Sequence, residues 1–520
     1  MLSYIGKRID CAPKCRNAKL LSERKATMKK SFKLIALLLA LVMSVSLFAA
    51  CDKGDKNDTD DNAANETSAP SDEYFPDVAK NNYDTDFFIS NQTDCNNMKY
   101  HWVEESDGDA MSEAIYLRQE QVRKYLGVEI TATEAGKHDV YHVDFQTAVK
   151  NKDNSVHLLM SHVHSGIESL ISGGYLADFN DFDSLNLDAD YWNYQFMEDL
   201  AIEDMMFLGN SNFNILYTYV IAFNKTMLNQ QYDGAVKAGI FEDGETIYDV
   251  VTNYRWTLDK MISLASLVSV DKTGNGKSDD DTFGLTGVQW VPYIGFLQAC
   301  NVQLVDVAQD GSYKVSFYNE LNKAKSTDIV VKLSELSKAD YAWFRYRIED
   351  TPEIHLQSNR TLMELKSTNY LPGLCDYDVE FGIIPYPMYD EAQASVGYRH
   401  LQWGGYLCIP SYLENPNMVG DTLEMLAYYS ANVNTTFYEK LLGKQVADVP
   451  EDKAMLELVW GSVVSDFGQT YSTVCGGLYM IPELTHAAEP NIASYHDGME
   501  RSANKAIKKF IATTASKYGK

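Results

Sequence analysis

Cysteine is scarce in this sequence, which has eight among 520 residues. Three of them, Cys11, Cys15 and Cys51, lie within the first 51 residues. The other five follow no regular spacing, and an odd, scattered set argues against a disulfide framework and favours buried, small apolar side chains. These five are Cys95, Cys300, Cys375, Cys408 and Cys475.

Positive charge is also in short supply. The chain has 45 Lys and Arg against 73 Asp and Glu, which gives a formal net charge of −28. The first fifty residues contain ten Lys or Arg and two Asp or Glu, a net of +8, so the remainder carries −36. A charge of this sign and size argues against nucleic acid and anionic lipid as partners.

Two common hydrolase motifs are missing. The sequence has neither a Gly-x-Ser-x-Gly nucleophile elbow nor a His-Glu-x-x-His zinc helix. A glycoside hydrolase, however, needs only two carboxylates about 5–9 Å apart. With 73 acidic residues, a lipid-anchored surface glycoside hydrolase stays open as an alternative, as does an adhesion or scaffold lipoprotein.

The first fifty residues have the features of a secretory signal peptide. Lys29, Lys30 and Lys33 form a basic segment, residues 34–45 are almost entirely apolar, and small residues follow. The apolar run is shorter than the roughly 20 residues that span a bilayer. A normal basic segment begins at Met28, so an upstream start-site artefact is one interpretation of residues 1–27.

Leu47-Phe48-Ala49-Ala50-Cys51 resembles the lipobox of bacterial lipoproteins, in which the cysteine is lipidated and becomes the first mature residue. The resemblance implies lipidation of Cys51 and attachment to the outer face of the cell membrane. Residues 51–74 are polar and almost free of aromatic side chains, which predicts a disordered tether. About 445 residues remain, more than one core usually supports, so two lobes are expected.

The folded body begins with alternating strands and helices. Strands are predicted at residues 99–103 and 155–160, and helices at 110–126 and 167–171. This order indicates an α/β fold in which helices cover a parallel sheet. Because ligands bind at the carboxyl ends of such strands, the loops at 104–109 and 161–165 are expected at a binding edge.

Later segments continue the same pattern. A β-rich run covers residues 215–223, and shorter strands are predicted at 381–387 and 406–409. Helices are predicted at 258–268, 419–429, 453–464 and 501–512.

Several stretches, taken in order, resemble the family 1 extracellular solute-binding proteins, the maltose-binding-like receptors of ABC importers, in the version common in Gram-positive bacteria. No single stretch is specific, but together they span nearly the whole mature chain. They are Asp107-Gly108-Asp109, Ala114-Ile115-Tyr116, Gly174-Tyr175-Leu176-Ala177-Asp178-Phe179-Asn180, Tyr191-Trp192-Asn193, Glu198-Asp199-Leu200, Ala222-Phe223-Asn224-Lys225, Trp256-Thr257-Leu258-Asp259-Lys260-Met261, the loop 271–284, Phe381-Gly382-Ile383-Ile384-Pro385-Tyr386-Pro387 and Met455-Leu456-Glu457-Leu458-Val459.

The resemblance implies a two-lobed periplasmic-binding-protein-like fold of type II, each lobe a mixed sheet flanked by helices and joined by crossing strands. The expected N-lobe is residues 75–213 plus 376–430, and the expected C-lobe is 214–375 plus 431–520. The implied function is capture of a sugar or oligosaccharide between the lobes by a monomer, without catalysis, and delivery to ABC permease subunits. The identity of the solute and of the permease stays open.

One loop has the spacing of a calcium site. Residues 271–281 place oxygen-bearing side chains at alternating positions with glycine at the sixth, as calcium loops do. Thr273 and Thr282 depart from the usual Asn or Asp and Glu, which leaves a solvated acidic turn as the alternative. The expected ligands of a structural calcium are Asp271, Thr273, Asn275, the Lys277 carbonyl, Asp279 and Asp280.

Candidate solute-binding residues are chosen by position. Carbohydrate sites stack aromatic rings on sugars and bracket the hydroxyls with polar side chains, although each large aromatic is also a candidate for ordinary core packing. The candidates lie after the first two strands, beyond the calcium-like loop and near an expected crossing between lobes. They are Glu105, Asp107, Asp109, His162, Trp290, Tyr293, Trp403 and Tyr406.

Overall fold

The structure is a computed structural model that describes residues 75–520 except 92–99, 135–140, 163–165, 216, 275, 289–290, 308–310, 346–353, 375–376, 403, 447–448, 477–480 and 488. The predicted signal peptide, Cys51 and the tether therefore lie outside the described residues. The segment Ser71–Lys520 forms one compact unit. Among the described helices, none combines the length and the apolar character needed to cross a bilayer.

The strands of the described residues form two large sheets and two small pairs. In chain order, β1 to β14 are Thr85–Asn91, Val128–Glu134, Leu158–His162, Tyr219–Asn224, Ser269–Val270, Thr282–Val288, Val305–Val307, Tyr313–Val315, Ala342–Arg345, Thr361–Ser367, Phe381–Ile384, His400–Leu401, Gly405–Cys408 and Val463–Val464.

Helices cover both large sheets. In chain order, α1 to α18 are Ala110–Leu126, Tyr141–Asn151, Ile167–Gly173, Tyr194–Asp199, Lys225–Gln230, Tyr232–Lys237, Ile247–Thr252, Leu258–Ala265, Val291–Ala299, Lys323–Lys338, Ile354–Gln357, Leu371–Leu374, Pro416–Tyr429, Ala431–Val446, Pro450–Trp460, Phe467–Thr470, Ile481–His486 and Ile492–Tyr518. Short 3-10 turns lie at Phe179–Asp181, Thr368–Tyr370 and Glu391–Ser395.

The first sheet has the strand order β13-β3-β1-β2. Strands β1, β2 and β3 are parallel, and β13, which comes some 240 residues after β3, pairs antiparallel to it. Phe87 and Met160 on one face of this sheet pack against Val122 of α1 and Leu423 of α13. Helix α1 ends at Gly127, whose φ of 63° is left-handed and therefore suits glycine.

The second sheet has the order β11-β4-β10-β6-β5, with β9 paired to β6. Its central strands are buried on both faces, as the alternation along β4 illustrates. Tyr219 and Ile221 belong to a large core that also contains α8 and α9, whereas Val220 and Ala222 belong to a smaller core with α15. Apolar side chains at every position of a strand are typical of a sheet covered on both sides.

Most predicted elements are present, and one is not. Helix α1 covers the predicted residues 110–126, and most later elements lie within about four residues of their predicted bounds. The exception is the last helix, predicted at 501–512, which extends over Ile492–Tyr518. The strand predicted at 99–103 is wrong: the first strand is β1, and Tyr100–Val103 form a turn and irregular chain. Trp102 is held there by a hydrogen bond from Nε1 to the Ile130 carbonyl of β2 (2.8 Å).

The expected lobe boundaries stay a prediction, and strand pairing adds detail near the second of them. Strand β11 pairs with β4 in the second sheet, whereas β13 belongs to the first. By sheet membership, the chain therefore returns to the first sheet between Ile384 and Gly405, later than residue 376.

Candidate functional site

The two large sheets meet through a set of polar residues that we call the joint: Tyr217, Thr218, Ser367, Thr368, Asn369 and Gln402. Thr218, just before β4, forms an antiparallel bridge with Gln402, just before β13. Its hydroxyl donates to the Leu401 carbonyl (2.7 Å), and its amide donates to the Thr368 hydroxyl (3.1 Å). The joint therefore brings together the start of β4, the end of β10 and the approach to β13.

Four joint side chains are buried without the hydrogen bonds that their chemistry requires. Both amide atoms of Gln402, the hydroxyls of Tyr217 and Ser367, and the amide oxygen of Asn369 have no partner among the described residues. Gln402 is only 3% exposed. Since an unsatisfied buried polar group costs about 1–3 kcal/mol, a concentration of them at one place indicates groups arranged for a partner that is not part of the chain.

The predicted acidic residues Glu105, Asp107 and Asp109 lie in the exposed loop before α1. Asp109 is the N-cap of that helix and accepts from the Met111 amide (3.0 Å). Asp107 accepts from the Ser112 hydroxyl and from the Asp109 amide. These two carboxylates thus organise the start of α1, a role that capping residues commonly have.

His162 lies at the end of β3, opposite Gly405 of β13, and is buried. It therefore lies at the carboxyl edge of the first sheet. Its strand partner is the first residue of β13, three residues after Gln402. Position at this edge is what the sequence predicted, and a role in binding stays a prediction.

Tyr293 and Tyr406 are also buried and belong to one large core. The Tyr406 hydroxyl is hydrogen-bonded to the Thr470 hydroxyl (3.0 Å). The Tyr293 ring packs on Phe296 and Phe344, and burial raises the pKa of Tyr293 well above its usual value. Trp290 and Trp403, the other two aromatic candidates, lie outside the described residues.

The calcium-like loop wraps around Asp271. One Asp271 oxygen accepts from the amides of Thr273 (3.1 Å) and Gly274 (2.5 Å). Lys277 turns its ammonium away, to the carbonyls of Ala339 and Ala342. The first half of the loop is therefore a turn closed on the Asp271 carboxylate by backbone amides.

The second half of the loop is engaged elsewhere. Arg360 donates to the Asp279 carbonyl and lies 3.4 Å from the Asp280 carboxylate. Asp281, which the sequence pattern did not select, is buried and accepts from the Lys272 and Ser278 amides. Asn275 lies outside the described residues, and among the described ones no three acidic, histidine or cysteine side chains converge as a metal site would require. Calcium stays a prediction.

Sequence reasoning missed the joint residues Tyr217, Ser367, Asn369 and Gln402. One signal was available, because Ser367 and Asn369 stand where the apolar alternation of β10 ends. Polar residues at the end of a strand in an α/β fold lie at the ligand-binding edge. Gln402 had a weaker signal, its place next to the candidate Trp403.

The fold has known relatives among solved structures. The GacH receptor of Streptomyces glaucescens, described unliganded and with acarbose, matches with a TM-score of 0.50 at 14% identity, over 83% of this chain and 98% of that one. An ABC transporter solute-binding protein from Thermotoga lettingae, bound with alpha-D-tagatose, matches with a TM-score of 0.50 at 14% identity, over 83% and 100%. The chain has the two-lobed fold of these solute-binding proteins.

At 14% identity, this solute-binding-protein fold is what the comparison establishes. No family model matches the sequence, and no curated protein matches it either. The expected type II α/β fold is confirmed. One of the two matched structures is described as a receptor and the other as a solute-binding protein.

Proposed function

We propose that this protein is the solute-binding component of an ABC importer and captures a carbohydrate between its two lobes. The observation that carries the proposal is the joint, where buried amide and hydroxyl groups stand unpartnered among the described residues between the two sheets. Two proteins of the same fold have structures with acarbose and with alpha-D-tagatose bound, which supports a sugar as the solute.

The chemistry of the joint suits a neutral polyol. All six of its side chains are uncharged, and the unpartnered atoms include an amide donor, amide acceptors and hydroxyls. Sugar hydroxyls both donate and accept, so they match such a mixture better than a carboxylate or an ammonium would. A solute that contacts both lobes would favour the closed arrangement, as in hinge closure.

The test is binding of maltotriose, acarbose and alpha-D-tagatose to the protein without its signal peptide, by thermal unfolding and calorimetry. A solute at a hundred times its Kd adds about 2.7 kcal/mol to the free energy of unfolding. Gln402→Leu should weaken binding about tenfold or more, because it removes both amide atoms. The matched control is Gln230→Leu on the exposed face of α5.

Two results would contradict the proposal. One is the failure of every carbohydrate in a wider panel to stabilise the protein. The other is hydrolysis of a bound oligosaccharide, which would favour the glycoside hydrolase. Trp290→Ala and Trp403→Ala test the sequence-based placement separately: full affinity in both variants would exclude those two rings from the site.

The lipid anchor belongs to the same proposal. Lipidation at Cys51 would hold a monomeric receptor on the outer face of the cell membrane, next to the permease subunits that receive the solute. The support is the lipobox-like sequence alone. Radiolabelled palmitate should appear in the protein expressed with its leader, and Cys51→Ser should abolish the label.

Calcium in the loop at 271–281 is proposed as a structural brace. Its support is the sequence spacing of oxygen-bearing residues in this loop. A chelator should lower the melting temperature, and added calcium should restore it. An unchanged melting temperature would show that this loop does not bind a structural calcium ion.

A further inference from the structure

A cavity adjoins the joint without including any of its residues, since the lining residue Phe437 packs edge to face on Tyr217 of the joint. It has a volume of about 270 Å³ and is enclosed by the segment before β4 on one side and by helices α14 and α15 on the other. Its polar and aromatic walls are formed mainly by Asn193, Asn210, Asn212, Asn434, Tyr438 and Trp460. We call it the asparagine cavity.

One wall residue indicates that the cavity is made for a ligand. Asn210 is 1% exposed, and its side-chain NH₂ has no hydrogen-bond partner among the described residues. By contrast, both amide atoms of neighbouring Asn214 have a partner: Oδ1 accepts from the Ser211 amide (2.8 Å), and Nδ2 donates to the Gly405 carbonyl (2.9 Å). A buried amide donor left open beside a cavity costs free energy unless a ligand or water accepts from it.

The aromatic wall supplies an apolar surface next to these amides. The rings of Tyr438 and Trp460 meet edge to face, with centroids 4.6 Å apart. Both residues are half-buried. The indole ring presents a broad apolar face, and such faces are where aromatic side chains contact partly polar ligands.

The charged residues in the lining of the asparagine cavity limit the kind of ligand that it can bind. The lining contains no Lys or Arg, and its one acidic residue is the exposed Asp190. A phosphate or carboxylate would find no cation in this lining, whereas its amides and aromatic rings suit a small ring that bears hydroxyl groups. The volume is slightly below the roughly 300–1,000 Å³ of pockets for drug-sized ligands, which limits the occupant to something small.

We propose that the asparagine cavity is a second binding site for a single neutral sugar ring, distinct from the site at the joint. Asn210 donates to a ring hydroxyl, Asn434 offers a further amide, and Trp460 covers the apolar face of the ring. The cavity shares no lining residue with the joint, so the two sites are separate, although Phe437 and Tyr217 bring them into contact.

The test is saturation-transfer NMR of D-glucose, D-galactose and D-xylose with the full protein and three variants. Asn210→Leu removes the open donor, and Asn434→Leu changes the helix wall with less risk to folding. Asn432→Leu, an exposed position of the same helix α14, is the matched control. We expect a saturation-transfer signal from the wild type and from the control variant. In Asn210→Leu and Asn434→Leu, the affinity for the sugar should be about tenfold lower.

Gln402→Leu separates the two sites. We expect this variant to keep the saturation-transfer signal of the monosaccharides, while the affinity of the joint for oligosaccharides falls. A signal that disappears in Gln402→Leu but persists in Asn210→Leu and Asn434→Leu would overturn the proposal. So would the lack of any signal from the wild type. Circular dichroism checks folding, and if Asn210→Leu does not fold, Asn434→Leu decides the question.

Discussion

Glu424 is a buried carboxylate whose replacement should destabilise the first lobe strongly. It lies in α13, is fully buried, and accepts from the Trp192 indole (2.8 Å), the Asn186 amide (3.2 Å) and the Tyr191 hydroxyl. Glu424→Leu leaves three donors without an acceptor. At about 1–3 kcal/mol for each unsatisfied group, and less for the half-buried ones, the loss is roughly 3–5 kcal/mol.

Glu424→Gln keeps the shape and one carbonyl oxygen, so we expect a smaller loss of about 1–2 kcal/mol. Burial raises the pKa of Glu424 above its ordinary 4.5. The unfolded chain therefore ionises first as pH rises, and the wild type loses stability between 4.5 and the raised pKa. Its advantage over the Gln variant should be larger at pH 4.5 than at pH 8.

The assay is urea unfolding followed by tryptophan fluorescence, comparing midpoints at equal m-values. Glu414→Gln is the control, because Glu414 is an exposed acid a few residues before α13, and surface changes stay within about 0.5 kcal/mol. The reasoning fails if Glu424→Leu stays within that margin, or if the Leu and Gln variants are equally unstable.

Three further predictions concern other buried groups. Burial lowers the pKa of His400 to about 3, so stability should fall as pH drops below 6.5, by about 2 kcal/mol at pH 5, and His400→Gln should flatten this pH profile. Asp452→Ala should cost about 3–5 kcal/mol in urea unfolding, because it strands Lys225 and Tyr248; a loss under 1 kcal/mol would contradict the pairing. Gly127→Ala should lower the melting temperature, since a Cβ there would lie 2.1 Å from Asn82 Oδ1; an unchanged value would refute this.

Elements with clear periodicity and good termination signals could be predicted from the sequence. Helix α1 is the best example, with Asp109 as its cap and Gly127 at its end. Strand β1 was missed because the sequence around Trp102 looked more like a strand than residues 85–91 did. A tertiary contact stabilises the irregular conformation around Trp102, because its indole donates a hydrogen bond to the Ile130 carbonyl.

The sequence does not predict strand β10 either, for a different reason. Glu364 and Lys366 break its apolar run, and charged residues ordinarily indicate solvent exposure. In the folded chain both are nearly buried and form an ion pair of 2.9 Å. Because this strand is not predicted from the sequence, Ser367 and Asn369 are not placed at a strand end or selected as solute-binding residues. The chosen acids of the loop before α1 had the right position in the pattern, but Asp107 and Asp109 serve the helix start.

The late arrival of β13 has a consequence for biogenesis. The outer neighbour of β3 is not synthesised until the whole second sheet from β4 to β11 has been made. Until then β3 presents an open row of amides and carbonyls, the kind of edge that recruits stray strands and leads to aggregation. A nascent chain interrupted before residue 405 cannot complete the first sheet, so this sheet, although most of it is encoded first, is completed late. Folding of this protein therefore requires that the open edge of β3 stays apart from other strands until the chain has been synthesised as far as β13.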